Sequence, residues 1–222
     1  MQVMAICTGN VCRSPAVARL LRSRLADVRA LQVTSAGVAA VPGGDICAEM
    51  SRLLNGRRVD ASPDGRHTSR MVNPEALSGA DLILVAERLH VAEVVRLAPA
   101  ALQRTFTLRA AAGLAAFVLE QCDTAMEPGC LPSGAPSLPP RSHPAARLRW
   151  LVSEMNEARG LAMPFPARDP SALRWRWRGP KTNVVDIPDP HQGVRVSHAQ
   201  TFGLLDAATE SLAATIRRLL EV

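Results

Sequence analysis

Cys7-Thr8-Gly9-Asn10-Val11-Cys12-Arg13-Ser14-Pro15 sets a cysteine and an arginine six positions apart in a turn that opens directly into a helix. Upstream, Gln2-Val3-Met4-Ala5-Ile6 is short, apolar and β-prone. Downstream, Ser14 and Pro15 read as N-cap and first helical residue ahead of Ala16, Val17, Leu20 and Leu21. Strand, loop and helix thus follow in the order an anion site needs. Backbone N–H groups of a loop closing onto a helix N-terminus converge on one point, where the helix dipole adds positive potential. The Arg13 guanidinium offers two parallel donors to two phosphate oxygens, a geometry a lysine cannot supply. The same donors, with the Ser14 hydroxyl, favour the thiolate of Cys7 over a free thiol of pKa about 8.5. Cys7 then reads as a nucleophile aimed at phosphorus. Gly9 permits close backbone approach, and Asn10 tolerates the left-handed conformation while its amide pins the loop.

These residues match every fixed position of a C-x-G-N-x-C-R-S-P signature, and the chain resembles the low-molecular-weight protein tyrosine phosphatase family in its bacterial branch. The resemblance continues in order. Thr34-Ser35-Ala36-Gly37 resembles the second-strand segment whose serine bonds the loop asparagine, and His67-Thr68-Ser69-Arg70 the stretch before a short helix at Asn73-Pro74-Glu75. Residues 80–85 and 104–108 resemble the third and fourth strands, and Asp186-Ile187-Pro188-Asp189-Pro190 the general-acid loop. Together these segments cover most of residues 1–122 and 184–222.

The resemblance implies an α/β three-layer sandwich around a four-stranded parallel sheet, with the phosphate-binding loop after the first strand. It implies that Cys7 attacks phosphorus, that Arg13 holds the transferring group, and that Asp189 first protonates the leaving oxygen and then activates water. Thr8, Gly9, Asn10, Val11, Cys12 and Ser14 would line the phosphate, with Ser35 orienting Asn10. No metal or organic cofactor is required. Asp–Pro pairs are mostly turn formers. Asp189 is preferred over Asp169 because Pro190-His191-Gln192-Gly193 resembles the family segment after the acid, and Asp186 is the fallback. His191, in place of an aromatic, and Val41 would flank the substrate ring, with a grip weaker by about 0.5–1.5 kcal/mol than a good aromatic pair. The chain has no tyrosine, which excludes control by phosphorylation at that loop. Val11 resembles the aliphatic residue of the tyrosine-directed branch rather than the threonine common among arginine phosphatases.

With 222 residues, 47% of them hydrophobic, the chain can bury a large core as one domain. Its insertion at about 123–183 is atypical of the family. Within it, residues 123–143 are rich in proline, glycine and serine, and a helix is expected over Pro144–Glu157 with Leu148, Leu151 and Met155 buried. Trp175 and Trp177 read as a packing or docking patch. A helix is expected over residues 46–54 with Cys47 in the core, and a last helix over 197–220 packed on the sheet through Phe202, Leu205, Leu212, Ile216 and Leu219.

The loop follows only six residues, no apolar run approaches a membrane span, and five irregularly spaced cysteines do not suggest a secreted disulfide framework. A cytoplasmic protein is expected. All but one of the 26 Lys and Arg residues are arginine, and the net charge is +6. That charge suits acidic phosphoprotein segments; dedicated nucleic-acid or membrane binding is not expected. The expected partner is a phosphotyrosine-containing protein, with a tyrosine kinase as its counterpart. Two rival readings stand beside hydrolysis. One is arsenate reduction on the same fold, with Cys122 and Cys130 relaying electrons, and the other is a phosphate-binding module without turnover. The resemblance also supports a reversible Cys7–Cys12 disulfide.

Overall fold

The computed structural model describes residues 1–28, 31–57, 59, 66–124, 138–160, 184–192 and 196–221. Four parallel strands, β1 (Gln2–Cys7), β2 (Gln32–Gly37), β3 (Leu82–Val85) and β4 (Thr105–Thr107), stand in the order β2-β1-β3-β4. Val3 pairs with Val33 on one side and Leu82 on the other, so β1 is central. The chain leaves β1 toward β2 and returns to β3 on its opposite flank. The carboxyl end of β1 is therefore the switch point of the sheet, where such folds open a crevice for ligands.

Strand alternation sorts the core into two layers. Val3, Ala5, Leu82, Leu84 and Phe106 face one cluster, while Met4, Ile6, Ile83 and Val85 face the other. The first layer is covered by α1 (Arg13–Arg24), α2 (Ala48–Gly56), α5 (Leu108–Thr124), α6 (Pro144–Glu157) and α7 (His198–Glu221). The second is covered by α3 (Pro74–Gly79), α4 (Arg88–Leu97) and the 3-10 turn Pro99–Arg104. This is the expected three-layer α/β sandwich.

Two local expectations are corrected. Helix α1 begins at Arg13 with Cys12 as N-cap, so Ser14 lies inside the first turn; its hydroxyl bonds the loop and Ala36 instead of capping. Helix α2 begins at Ala48, which leaves Cys47 half-buried at its N-cap. Helix α7 buries Phe202, Leu205, Leu212, Ile216 and Leu219, and packs against α1, α2 and α5. The expected helix at Pro144–Glu157 forms, with Leu148, Leu151 and Met155 fully buried. Trp175, Trp177, Asp169 and Cys130 lie outside the described residues. Among the described residues no helix is long and apolar enough to cross a membrane.

Candidate active site

Cys7 ends β1 with its side chain buried, and residues 8–12 curl from it into α1. The carbonyls of this loop are tied outward. Cys7 O accepts from Val38 N, Thr8 O from Ala39 N, Val11 O from Cys47 N at 2.7 Å, and Asn10 O bonds His67 Nε2 at 2.7 Å. Among the described hydrogen bonds, no backbone N–H of residues 9–12 serves as a donor. Carbonyls spent on the scaffold and amides unspent are what a loop needs to hold an anion ahead of a helix N-terminus.

Asn10 fixes that curvature. Its φ of +53° is in the left-handed region, and it is fully buried. Its Nδ2 donates to Ser14 Oγ at 2.9 Å and Ser35 Oγ at 3.0 Å, while Oδ1 accepts from Arg70 N at 3.0 Å. Every polar atom of the amide is satisfied. Ser14 Oγ lies 3.1 Å from both Cys7 Sγ and Ala36 O. One hydroxyl proton serves two acceptors, and ionisation of Cys7 draws it to sulfur.

Arg13 is 1% exposed. Its NH1 donates to Glu87 Oε2 at 2.6 Å and Ile187 O at 3.0 Å, and its NH2 to Asp189 Oδ2 at 2.6 Å and Thr8 Oγ1 at 3.3 Å. The acid loop reaches it through several anchors: Ile187 is buried with its N–H on Ala86 O, and Pro188 O accepts from Thr201 Oγ1 of α7. The two candidate acids separate here. Asp186 accepts from the Arg88 N–H at the start of α4 and from its Nε. Asp189 faces Arg13 and accepts the His191 N–H on Oδ1.

Glu87 and His90 were not legible as site residues. They form a reciprocal cap of α4, with the Glu87 N–H donating to His90 Nδ1 at 3.1 Å. That bond makes Nδ1 an acceptor, so Nε2 carries the proton and donates to Thr8 Oγ1 at 3.0 Å. Burial, then the Arg13 charge, draws His90 down to about 4 and keeps it neutral. The Glu-x-x-His spacing after a buried strand was the available signal. Ser69 is a third such residue: its hydroxyl accepts from Gly44 N and donates to Val41 O, bracing the segment beside the loop.

Of the residues expected to flank a substrate, Val41 has its side chain 80% exposed. His191 follows Asp189 but turns its ring toward His198, with centroids 4.7 Å apart. Cys12 and Cys47 interact: contact with Cys12 draws Cys47 down to about 5, and the same contact, then burial, pushes Cys12 above the usual thiol range. Cys122, near the end of α5, packs against the first core cluster. A depression of about 430 Å³ lined by Asp81, Arg104, Arg149 and Ser153 lies by the amino ends of β3 and β4, at the far end of the sheet.

The pattern of low molecular weight phosphotyrosine protein phosphatase matches residues 2–115. The chain is 36% identical over 104 residues to low molecular weight protein-tyrosine-phosphatase Etp of Escherichia coli K12, covering 44% of this chain and 62% of that protein. It is 31% identical over 108 residues to a protein-arginine-phosphatase of Geobacillus stearothermophilus, covering 49% and 69%. The fold matches that of Vibrio vulnificus Wzb, solved with benzylphosphonate, at TM-score 0.55 and 20% identity over 96% of this chain and 97% of that one. The chain thus spans about 62% of the length of the Etp relative. With the loop, the sheet order and this match over half its length in agreement, the chain belongs to the low molecular weight phosphotyrosine protein phosphatase family.

Proposed function

We propose that this protein hydrolyses phosphotyrosine in proteins through a phosphocysteine on Cys7. The observation that carries the reading is the loop of unspent amides around a buried thiol, with Arg13 and Asp189 converging on its mouth. A phosphate dianion in the loop takes the amides and replaces Asp189 as the partner of Arg13 NH2. Two carboxylates already face Arg13, and the dianion displaces Asp189 from it, which turns that carboxyl toward the leaving oxygen as a general acid. The Cys7 thiolate attacks in line, Asp189 gives its proton to the tyrosyl oxygen, and the loop holds the equatorial oxygens. Asp189 then takes a proton from a water that attacks the phosphocysteine, the P–S bond breaks, and phosphate leaves the restored Cys7 thiolate.

In this reading Thr8, Gly9, Asn10, Val11, Cys12 and Ser14 hold the phosphate, Ser35 positions Asn10, and Val41 and His191 border the leaving group. No metal enters the reaction. A catalytic thiol suits a reducing compartment, which fits the cytoplasm, and a tyrosine kinase acting on the same proteins is the partner the reading implies. The match to an arginine phosphatase supports a second substrate, phosphoarginine. Initial rates of the reduced protein on phosphotyrosine and phosphoarginine peptides decide between them. Expected is preference for phosphotyrosine, no turnover in Cys7→Ser, and a fall in kcat of about 10²–10⁴-fold in Asp189→Asn. Preference for phosphoarginine overturns the substrate, and silence on both overturns the hydrolase.

A further inference from the structure

Cys12, Cys47, His191 and His198 come from four segments: the end of the phosphate loop, the N-cap of α2, the acid loop and the first residue of α7. Each offers one ligand atom, and these atoms all lie within 4.8 Å of one another. We propose that the four residues form a Cys2His2 site for a divalent transition cation of the zinc class.

The histidine pair is the most telling part. Their rings stand edge to face at 82°, joined by a hydrogen bond between the two Nε2 atoms at 3.3 Å that a bound ion would replace. Two imidazole nitrogens bound to one tetrahedral zinc at about 2.0–2.1 Å are separated by about 3.3 Å, so the pair already has the spacing of two ligands of one ion. Edges to thiolate sulfur run to about 3.8 Å in the same tetrahedron, within about an ångström of the observed span. Two sulfurs and two imidazoles are a donor set that suits zinc and disfavours magnesium or calcium.

Burial and the facing sulfur disfavour a Cys12 thiolate in the metal-free protein, so the ion itself supplies the countercharge that both thiolates need. Cys12 and Cys47 are the N-caps of helices of 12 and 9 residues, at the positive ends of both dipoles. Two thiolates cancel the charge of the ion, so the buried Cys12 carries no uncompensated charge. The Cys47 N–H bond to Val11 O at 2.7 Å already holds the α2 cap against the phosphate loop. A bound ion joins the acid loop to the phosphate loop, because His191 also donates its N–H to Asp189 Oδ1 at 3.0 Å. It also commits the His191 imidazole, so that ring borders the leaving group only in the ion-free protein.

The test uses the full chain carrying Cys7→Ser, which removes the other loop thiolate, reduced and stripped of metal. Titration with Co²⁺ is expected to give one ion per chain, a near-ultraviolet thiolate-to-cobalt band and the intense visible bands of tetrahedral cobalt, all displaced by Zn²⁺. Adding Cys47→Ala or His198→Ala should abolish the bands, with circular dichroism showing each variant folded. Absence of the bands in the folded Cys7→Ser protein overturns the site, as does their survival in either double variant. Neither readout depends on turnover, so failure of the phosphatase reading leaves this test intact.

Discussion

Asn10 and His90 show how single residues set the loop. Asn10 holds a left-handed backbone because its side chain bonds three separate segments, Ser14, Ser35 and Arg70. His90 works from below, donating to Thr8 as a neutral ring. Its depressed pKa has a measurable consequence. The unfolded chain takes a proton on this histidine near pH 6.5, whereas the folded protein resists until about pH 4. The stability it contributes is therefore complete above about pH 6.5 and is lost as the pH falls toward 4. Comparison with His90→Asn, which leaves the neighbouring carboxylates Glu87, Asp186 and Asp189 in place, isolates the ring. Thermal denaturation across pH 4 to 7 should show a flatter profile in the variant. Equal slopes would contradict a buried neutral His90.

At the scale of elements, the site depends on how closely β2 approaches the loop. Gly37 ends β2, and a Cβ there would lie 2.5 Å from Thr8 O and 2.8 Å from Asn10 N. Both are backbone atoms of the loop, so no side-chain rotation relieves the clash and the loop itself must shift. Neighbouring segments hold it from the other side: Gly37 N donates to Arg70 O, Val72 N to Gly37 O, and Arg70 Nε to Ser35 O. Gly37→Ala is expected to leave a folded protein whose kcat/KM is at least about tenfold lower, a loss of about 1.4 kcal/mol in transition-state stabilisation. Steady-state kinetics check this, and wild-type kcat/KM in the folded variant would refute the close-approach argument.

Across the whole molecule, the strand, loop and helix around Cys7 were legible because Gly9, Asn10, Arg13 and Ser14 each answer a separate demand of an anion loop. The placement of Asp189 against Arg13 agrees with the reading of the residues after it, and the α6 stripe was legible through its helical spacing. Glu87 and His90 were not, because their roles arise only when β3 brings the start of α4 beneath Thr8. Cys47 read as core because one cysteine in an amphipathic segment carries no sign of the Cys12 and histidines that meet it. Ser14 read as a cap because the spatially adjacent Cys7 and Ala36 that claim its hydroxyl are invisible to local pattern. The central claim is that Cys7 carries the phosphoryl group. It is tested most directly by acid-quenching the protein during incubation with a phosphotyrosine peptide and locating the phosphoryl group by mass spectrometry. The account predicts a single phosphoryl group on Cys7. Turnover without it, or with the group on another residue, would contradict the account.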